Sequence, residues 1–342
     1  MRVVVVGQGI AGTLLAFELE RRGIDFMIID SGVNHSSSVA AGIMNPVVFR
    51  RLTKSWRVDD AWDLAIETYQ RLEQKLGSLF LYDKPMRRLF ASEQEAGFWQ
   101  EKTSLVDFQK YIAHFPEGDV CPEYAKNSHG SGLVKRVYHV DVKEFIHASK
   151  NYFEAHGKLI TSEVDYDAVL SELKSSTLDA VFFCQGYRNL ENPFFAHLPV
   201  QTTKGQILTI KNSFIAESEL LNRKCFLLPL GQHLFRVGAT YEWENTSLNT
   251  TEKARVQLCE KLESLIDSPY EVIAQEAGIR PTTPDRRPIL GEHPHHKNMY
   301  ILNGLGTKGY LLAPWSVQHL CEHVLNILPL SDEVNLARFG VI

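Results

Sequence analysis

The sequence lacks any apolar run near the roughly 18 residues that span a bilayer, so no membrane span is expected. The opening MRVVVVG is too short an apolar stretch for a signal-peptide core and runs at once into a glycine motif. Cysteine is scarce: five among 342 residues, at 121, 184, 225, 259 and 321, with no CxxC pair. An odd, scattered set argues against a disulfide framework and for a reducing, cytoplasmic setting. Positive charge is not in excess either. A formal net charge of −5 leaves no basic field for a polyanion, so nucleic acid is not an expected partner. The doublets Arg50-Arg51, Arg87-Arg88 and Arg286-Arg287 are expected to be solvated or locally ion-paired. In such a setting the sequons Asn245-Thr246-Ser247 and Asn249-Thr250-Thr251 are chance matches. There is no GxSxG hydrolase elbow, no internal repeat and no low-complexity segment. What remains is ordinary globular composition, 44% hydrophobic and 23% charged, in a chain long enough for two modest domains.

The first thirty residues carry the most information. Val3 to Val6 is a β-branched run, as expected for a strand buried on both faces of a parallel sheet. Gly7-Gln-Gly9-Ile-Ala-Gly12 follows, then an amphipathic helix over Leu14 to Arg22 that ends near Gly23. Phe26 to Ile29 forms a second apolar strand that terminates in Asp30, 18 residues after Gly12. Each glycine has a physical task. Gly7 permits the tight turn, Gly9 lets a pyrophosphate approach the backbone, and Gly12 lets the helix pack on the sheet. The helix N-terminus, with Ile10 and Ala11, offers free N–H groups and a positive dipole end to phosphate. Asp30 can accept both ribose hydroxyls of an adenosine, and an acid there disfavours a 2′-phosphate. Strand, glycine turn, helix and acid in this order give the motif its meaning as a dinucleotide site.

Further pieces narrow the dinucleotide. SSSVAAGIMNP, residues 36–46, consists mostly of small side chains with a flexible glycine and a proline. Val140-Asp141 precedes a helix over 142–156 and a strand over 158–164. DAVFFCQG, residues 179–186, is an apolar strand ending in glycine. Thr203-Lys204-Gly205-Gln206 and Val237 to Glu242 read as strand signatures. AGIRPTTPDRRPILG, residues 277–291, is a poor helix and a poor central strand, and the turn Gly304-Leu-Gly306-Thr-Lys-Gly309 feeds a helix over 310–328. In this order the pieces resemble the D-amino-acid oxidase and glycine oxidase superfamily of FAD-dependent oxidoreductases.

The resemblance implies an α/β chain, α+β overall. A Rossmann-like FAD-binding domain of the glutathione-reductase type would comprise residues 1–80, 139–200 and 274–342. A substrate domain with an antiparallel sheet would be inserted as 81–138 and 201–273, with a helix over 250–266 leaning on it. It implies FAD contacts from Gly7, Gly9, Ile10, Ala11, Gly12, Asp30 and Ser31. Ser38, Ala40, Ala41, Gly42 and Met44 would follow along the pyrophosphate and flavin, with Met44 and Asn45 on one side of the ring. Val164 would meet the adenine and Gly186 would close over the pyrophosphate. Gly278 and Arg280, with Gly304, Gly306, Thr307, Lys308, Gly309 and Tyr310, would surround the flavin ring. Relatives with covalent flavin carry a cysteine where this chain has Gly278, which implies non-covalent FAD. NPVVFRR and Trp56 to Gly77 resemble the flavin half of a bifunctional tRNA-modifying enzyme, which keeps a larger amine in view.

The reaction implied is oxidation of the C–N bond of an amino acid or secondary amine, with a hydride passing to flavin N5. An amine lone pair assists that step, so no side-chain base is needed. An amino acid does need an anchor for its carboxylate, and a guanidinium supplies two parallel hydrogen bonds. Arg280 matches the family's anchor, and Tyr241 and Lys308 are expected to line the same pocket. The other reading of Arg280 is an ion pair, for instance with Asp285. No metal is expected. His319-Leu-Cys-Glu322-His323 matches HxxEH but reads better as the polar side of the last helix, and His293, His295 and His296 read as an exposed loop.

Overall fold

The computed structural model describes residues 1–33, 36–243 and 246–340. Asn245, of the first sequon, lies outside the described residues. Two sheets organise them. The first has six strands in the order Leu159–Thr161, Asp25–Asp30, Arg2–Val6, Ala180–Phe183, Met299–Asn303 and Ile289–Glu292. All neighbours run parallel except the last pair, which is antiparallel. Val3 and Val5 pack with one helical layer and Val4 and Val6 with another, so both faces of the strand are covered. The helices Ile10–Arg21, Val58–Leu76 and Gly309–Val324 pack together on one side.

The second sheet has eight strands in the order Glu271–Thr282, Gln201–Lys211, Leu234–Gly238, Phe226–Gly231, Leu220–Asn222, Met86–Leu89, Ser131–Val134 and Ile112–Ala113. It departs from the expected antiparallel sheet in one place: Leu220–Asn222 runs parallel to Met86–Leu89. The helix Glu252–Glu263 leans on it, and the Thr251 hydroxyl caps that helix by accepting from Ala254 N. The segment around Arg280, expected to enter the first sheet, belongs to the second as its edge strand. It pairs with Gln201–Lys211 from Thr282 back to Glu271. Edge position is what accommodates Pro281 within a strand.

Arg87 and Arg88 take the ion-paired form of the expectation, with Asp119, Glu219 and Glu95, and do so buried, not at the surface. His293 is buried as well. Its Nδ1 accepts from the His295 and His296 backbone N–H groups, and burial among neighbouring histidines pulls its pKa down to about 4. No helix among the described residues is long and apolar enough to cross a membrane.

Candidate functional site

A cavity of about 390 Å³ is walled by both sheets. At one end lie Ser162 to Val164, just beyond the strand Leu159–Thr161, with Arg188 and Ser31. At the other lie Met86, Asn222 and Phe226 of the second sheet.

The glycine turn forms the middle of the wall. Gly7 has φ +100, and a Cβ there would lie 2.7 Å from the Cys184 carbonyl oxygen, so this corner admits only glycine. Gly9 stands at the N-cap of Ile10–Arg21 and brings no side chain of its own, so its backbone lines the cavity. The Ile10 N–H is held by Ser37 Oγ at 2.9 Å. Asp30 is fixed by backbone donors, with Gln8 N on one oxygen at 2.6 Å and Gly32 N on the other at 2.8 Å. A carboxylate has about four acceptor positions, so two remain for a ligand's hydroxyls.

The segment from Ser36 to Ala40 is a single short helical turn, Ser36–Val39, and its end, and it is fastened from elsewhere. Ser36 Oγ donates to the Ile279 carbonyl, Tyr310 Oη donates to the Ser37 carbonyl, and Arg236 Nη1 donates to the Ala40 carbonyl. Arg236 is buried and reaches over from the second sheet. Asn303 similarly bridges two cavity loops. Its Nδ2 donates to the Gly186 carbonyl at 2.9 Å and its Oδ1 accepts from Gly304 N at 2.8 Å.

Arg280 lies beneath the roof formed by the second sheet. Its guanidinium lies over Gly205 of the neighbouring strand, where an added Cβ would meet Nη2 at 1.9 Å and Cζ at 2.3 Å. The Tyr241 ring centroid stands 4.5 Å from its central carbon. Its one hydrogen bond to a described residue is to the Thr240 carbonyl, at 3.3 Å. No acid pairs with it among the described residues, and Asp285 is taken by Arg338. Burial pulls the Arg280 pKa below the usual guanidinium value and Tyr241 offsets this in part. An arginine stays charged under such a shift. The result is a cation presented to the cavity with hydrogen-bonding capacity to spare.

Most residues expected at the site line this cavity. Gly7, Gly9, Ile10 and Ala11 do so from the turn, and Asp30 and Ser31 from the second strand. Ala40, Ala41, Gly42 and Asn45 line it, as do Val164 and Gly186. Gly278, Arg280 and Tyr241 contribute from the second sheet, and Gly306, Thr307, Gly309 and Tyr310 from the last turn and helix.

Five expected residues do not line it, each for a structural reason. Gly12 faces the strand, and a Cβ there would lie 1.8 Å from the Gly7 carbonyl oxygen. Met44 is buried in the core because side chains alternate along a strand and its neighbour Ile43 takes the cavity face. Gly304 is turned against Thr283. Ser38 lies half-buried on the short helix Ser36–Val39. Lys308 points away: its Nζ donates to Ser55 Oγ, and burial pulls its pKa down to about 8. Arg188, Asn222, Phe226 and Asn303 are among the lining residues that the sequence did not single out. Of these four, only Asn303, directly before the Gly304 turn, had a local signal.

The donor set fits an FAD. A helix end with glycine at its N-cap suits a pyrophosphate, Asp30 suits a ribose, and a long cavity reaching under a second sheet suits a flavin ring. The comparisons agree. The FAD dependent oxidoreductase family, DAO, matches residues 2–323. The glycine oxidase of Pseudomonas putida is 25% identical over 388 residues, covering 99% of this chain and 98% of that protein. The tRNA 5-methylaminomethyl-2-thiouridine biosynthesis bifunctional protein of Leptospira interrogans is 24% identical over 375 residues, covering 90% of this chain. This chain spans only 55% of that bifunctional protein's length. The crystal structure of glycine oxidase from Geobacillus kaustophilus superposes with a TM-score of 0.81 at 20% identity, over 97% of each chain. That of iminodiacetate oxidase from Chelativorans sp. gives 0.79 at 17% identity, over 97% of this chain and 98% of the other. With a family match across nearly its whole length, the chain belongs to the DAO family of FAD-dependent oxidoreductases.

Proposed function

We propose that this chain oxidises the C–N bond of an amine that carries a carboxylate, either an amino acid or an N-substituted one, using non-covalently held FAD. The observation that supports this most is Arg280, a cavity-facing guanidinium with no acidic partner among the described residues. A substrate carboxylate would supply the missing anion through two charge-assisted hydrogen bonds. The named activities of the glycine oxidase and iminodiacetate oxidase relatives are of the same class.

When bound, FAD accepts the hydride. The chain's own residues do the rest. Gly7, Gly9 and the helix end would receive the pyrophosphate, and Asp30 the ribose. Gly278, where covalent relatives have a cysteine, offers no thiol for attachment. Arg280 fixes one end of the substrate, with the Tyr241 ring packed beside the guanidinium that lies over Gly205. Orientation of this kind accounts for much of the rate an enzyme gains without a side-chain base. All five cysteines are free, in keeping with an enzyme of the cytoplasm.

The test is anaerobic. The yellow protein is mixed with amino acids and N-substituted glycines, and bleaching of the flavin absorbance is followed. Bleaching by a carboxylate-bearing amine, with KM raised at least tenfold in Arg280→Met, supports the proposal. Bleaching only by a tRNA-borne amine would move the substrate to the class named for the bifunctional relatives. Flavin that no amine reduces would make this a flavin-binding protein.

A further inference from the structure

The far end of the cavity carries a polar group that the carboxylate anchor does not use. Its walls are apolar, formed by Met86, Ile207 and Phe226, and Asn222 is set among them. The orientation of the Asn222 amide is fixed from behind. Arg88 Nη1 donates to Asn222 Oδ1 at 2.6 Å. Arg88 is itself immobilised by Glu95 at 2.7 Å, by the Arg223 carbonyl at 2.6 Å and by the Phe49 ring at 4.4 Å. A buried guanidinium only donates, so it selects the oxygen of the amide and turns Nδ2 the other way. Nδ2 donates to none of the described residues, and Asn222 lines the cavity.

The strand register gives the spacing. Asn222 pairs with Phe226, Phe226 with Gly238, and Gly238 with Ile207, two residues beyond the Gly205 that carries the Arg280 guanidinium. Three strand steps of about 4.8 Å across and two residues of about 3.3 Å along put the Asn222 and Gly205 backbones about 16 Å apart. An amino acid as short as glycine held on Arg280 cannot reach that far. A longer arm can, and among the described residues the feature at its end that rewards a polar atom is a donor, the Asn222 amide.

We propose that Asn222, aligned by Arg88, is a specificity-determining residue, and that the substrate is a carboxylate-bearing amine with a second arm ending in a hydrogen-bond acceptor, a carboxylate or carbonyl oxygen. This rests on the reading of Arg280 as the carboxylate anchor. Arg88 touches no substrate and is a positioning residue.

Binding of redox-inert ether analogues to the FAD-loaded protein tests it, read by flavin absorbance and by calorimetry. Methoxyacetate has one arm. Diglycolate and its homologues lengthened by one or two methylenes have two. In the wild type the best two-armed ligand is expected to bind about tenfold or more tightly than methoxyacetate, the worth of one hydrogen bond to a charged group. In Asn222→Ala that ratio falls toward one. In Asn222→Asp, where the donor becomes an anion, it falls below one. In Arg88→Met it falls as well, and the lysine variant Arg88→Lys restores part of it. A wild-type ratio near one, a ratio that survives Asn222→Ala, or no binding of either ligand overturns the proposal. The anchor reading fails separately, if Arg280→Met binds methoxyacetate as tightly as the wild type does.

Discussion

Replacing Gly205 by alanine puts a methyl group where the Arg280 guanidinium lies. The new Cβ would be 1.9 Å from Nη2 and 2.4 Å from Nη1. Non-bonded contacts of this kind settle near about 3.5 Å, so the guanidinium must shift by roughly 1.5 Å. With the Tyr241 ring centroid only 4.5 Å away, room for that shift is narrow, and it swings the fork out of its plane or withdraws it. A bidentate pair does not survive that. One charge-assisted hydrogen bond lost is about 1.5–3 kcal/mol, or about ten- to 150-fold in Kd. The assay is titration of the FAD-loaded protein with methoxyacetate, followed by flavin absorbance, beside a carboxylate-free amine of similar size. Carboxylate affinity is expected to fall by that factor while the preference between carboxylate and amine collapses. Unaltered carboxylate binding in Gly205→Ala would refute the reasoning, and so would an equal loss for the carboxylate-free amine, since the methyl group would then be blocking space and not displacing a charge.

Gly12→Ala forces the helix Ile10–Arg21 away from the Gly7 carbonyl, which a Cβ would approach to 1.8 Å. Overpacking of this kind costs about 1–3 kcal/mol, so a lower Tm and loss of FAD on gel filtration are expected together. Asp30→Asn keeps the shape but sets an NH2 against one of the Gln8 and Gly32 donors. FAD affinity, measured by reconstitution of the apoprotein, is expected to drop about tenfold or more. Lys308 has a folded pKa of about 8 against 10.5 ordinarily. The unfolded chain therefore holds more protons between those values, and stability rises as pH climbs from about 8 to 10.5. Subtracting the Tm-against-pH curve of Lys308→Met should isolate that rise, and a flat difference would show that the lysine is not buried as described.

The parts of the site that were legible in the sequence are those built from neighbours. Gly7 to Gly12 and Asp30 work through a turn, a helix end and an adjacent strand, and local spacing reports such things directly. Arg280 was legible as a residue but not as a geometry. Its direction depends on Gly205 standing one strand away, and that register is set by the pairing of Glu271–Thr282 with Gln201–Lys211. Lys308 and Met44 were misplaced for a related reason. One belongs to a loop whose side chain finds Ser55, and the other is on the opposite face of a two-residue strand from Ile43. Asn222 left no trace, because what makes it notable is Arg88, 134 positions earlier. The edge-strand course of residues 271–282 was hidden by its glycine and proline, which weaken any local strand signal.

The fastening of Ser36 to Ala40 has a consequence for how the protein is made. Three of its ties come from residues 243, 273 and 196 positions further along the chain. During synthesis the glycine turn and Asp30 emerge first, yet the segment beside them is not fully fastened until Tyr310 has left the ribosome, after Arg236 and Ile279. Cofactor retention is thus a late event that follows translation of nearly the whole chain. A nascent chain stalled before residue 310 should be colourless even in excess FAD, while the completed chain should be yellow.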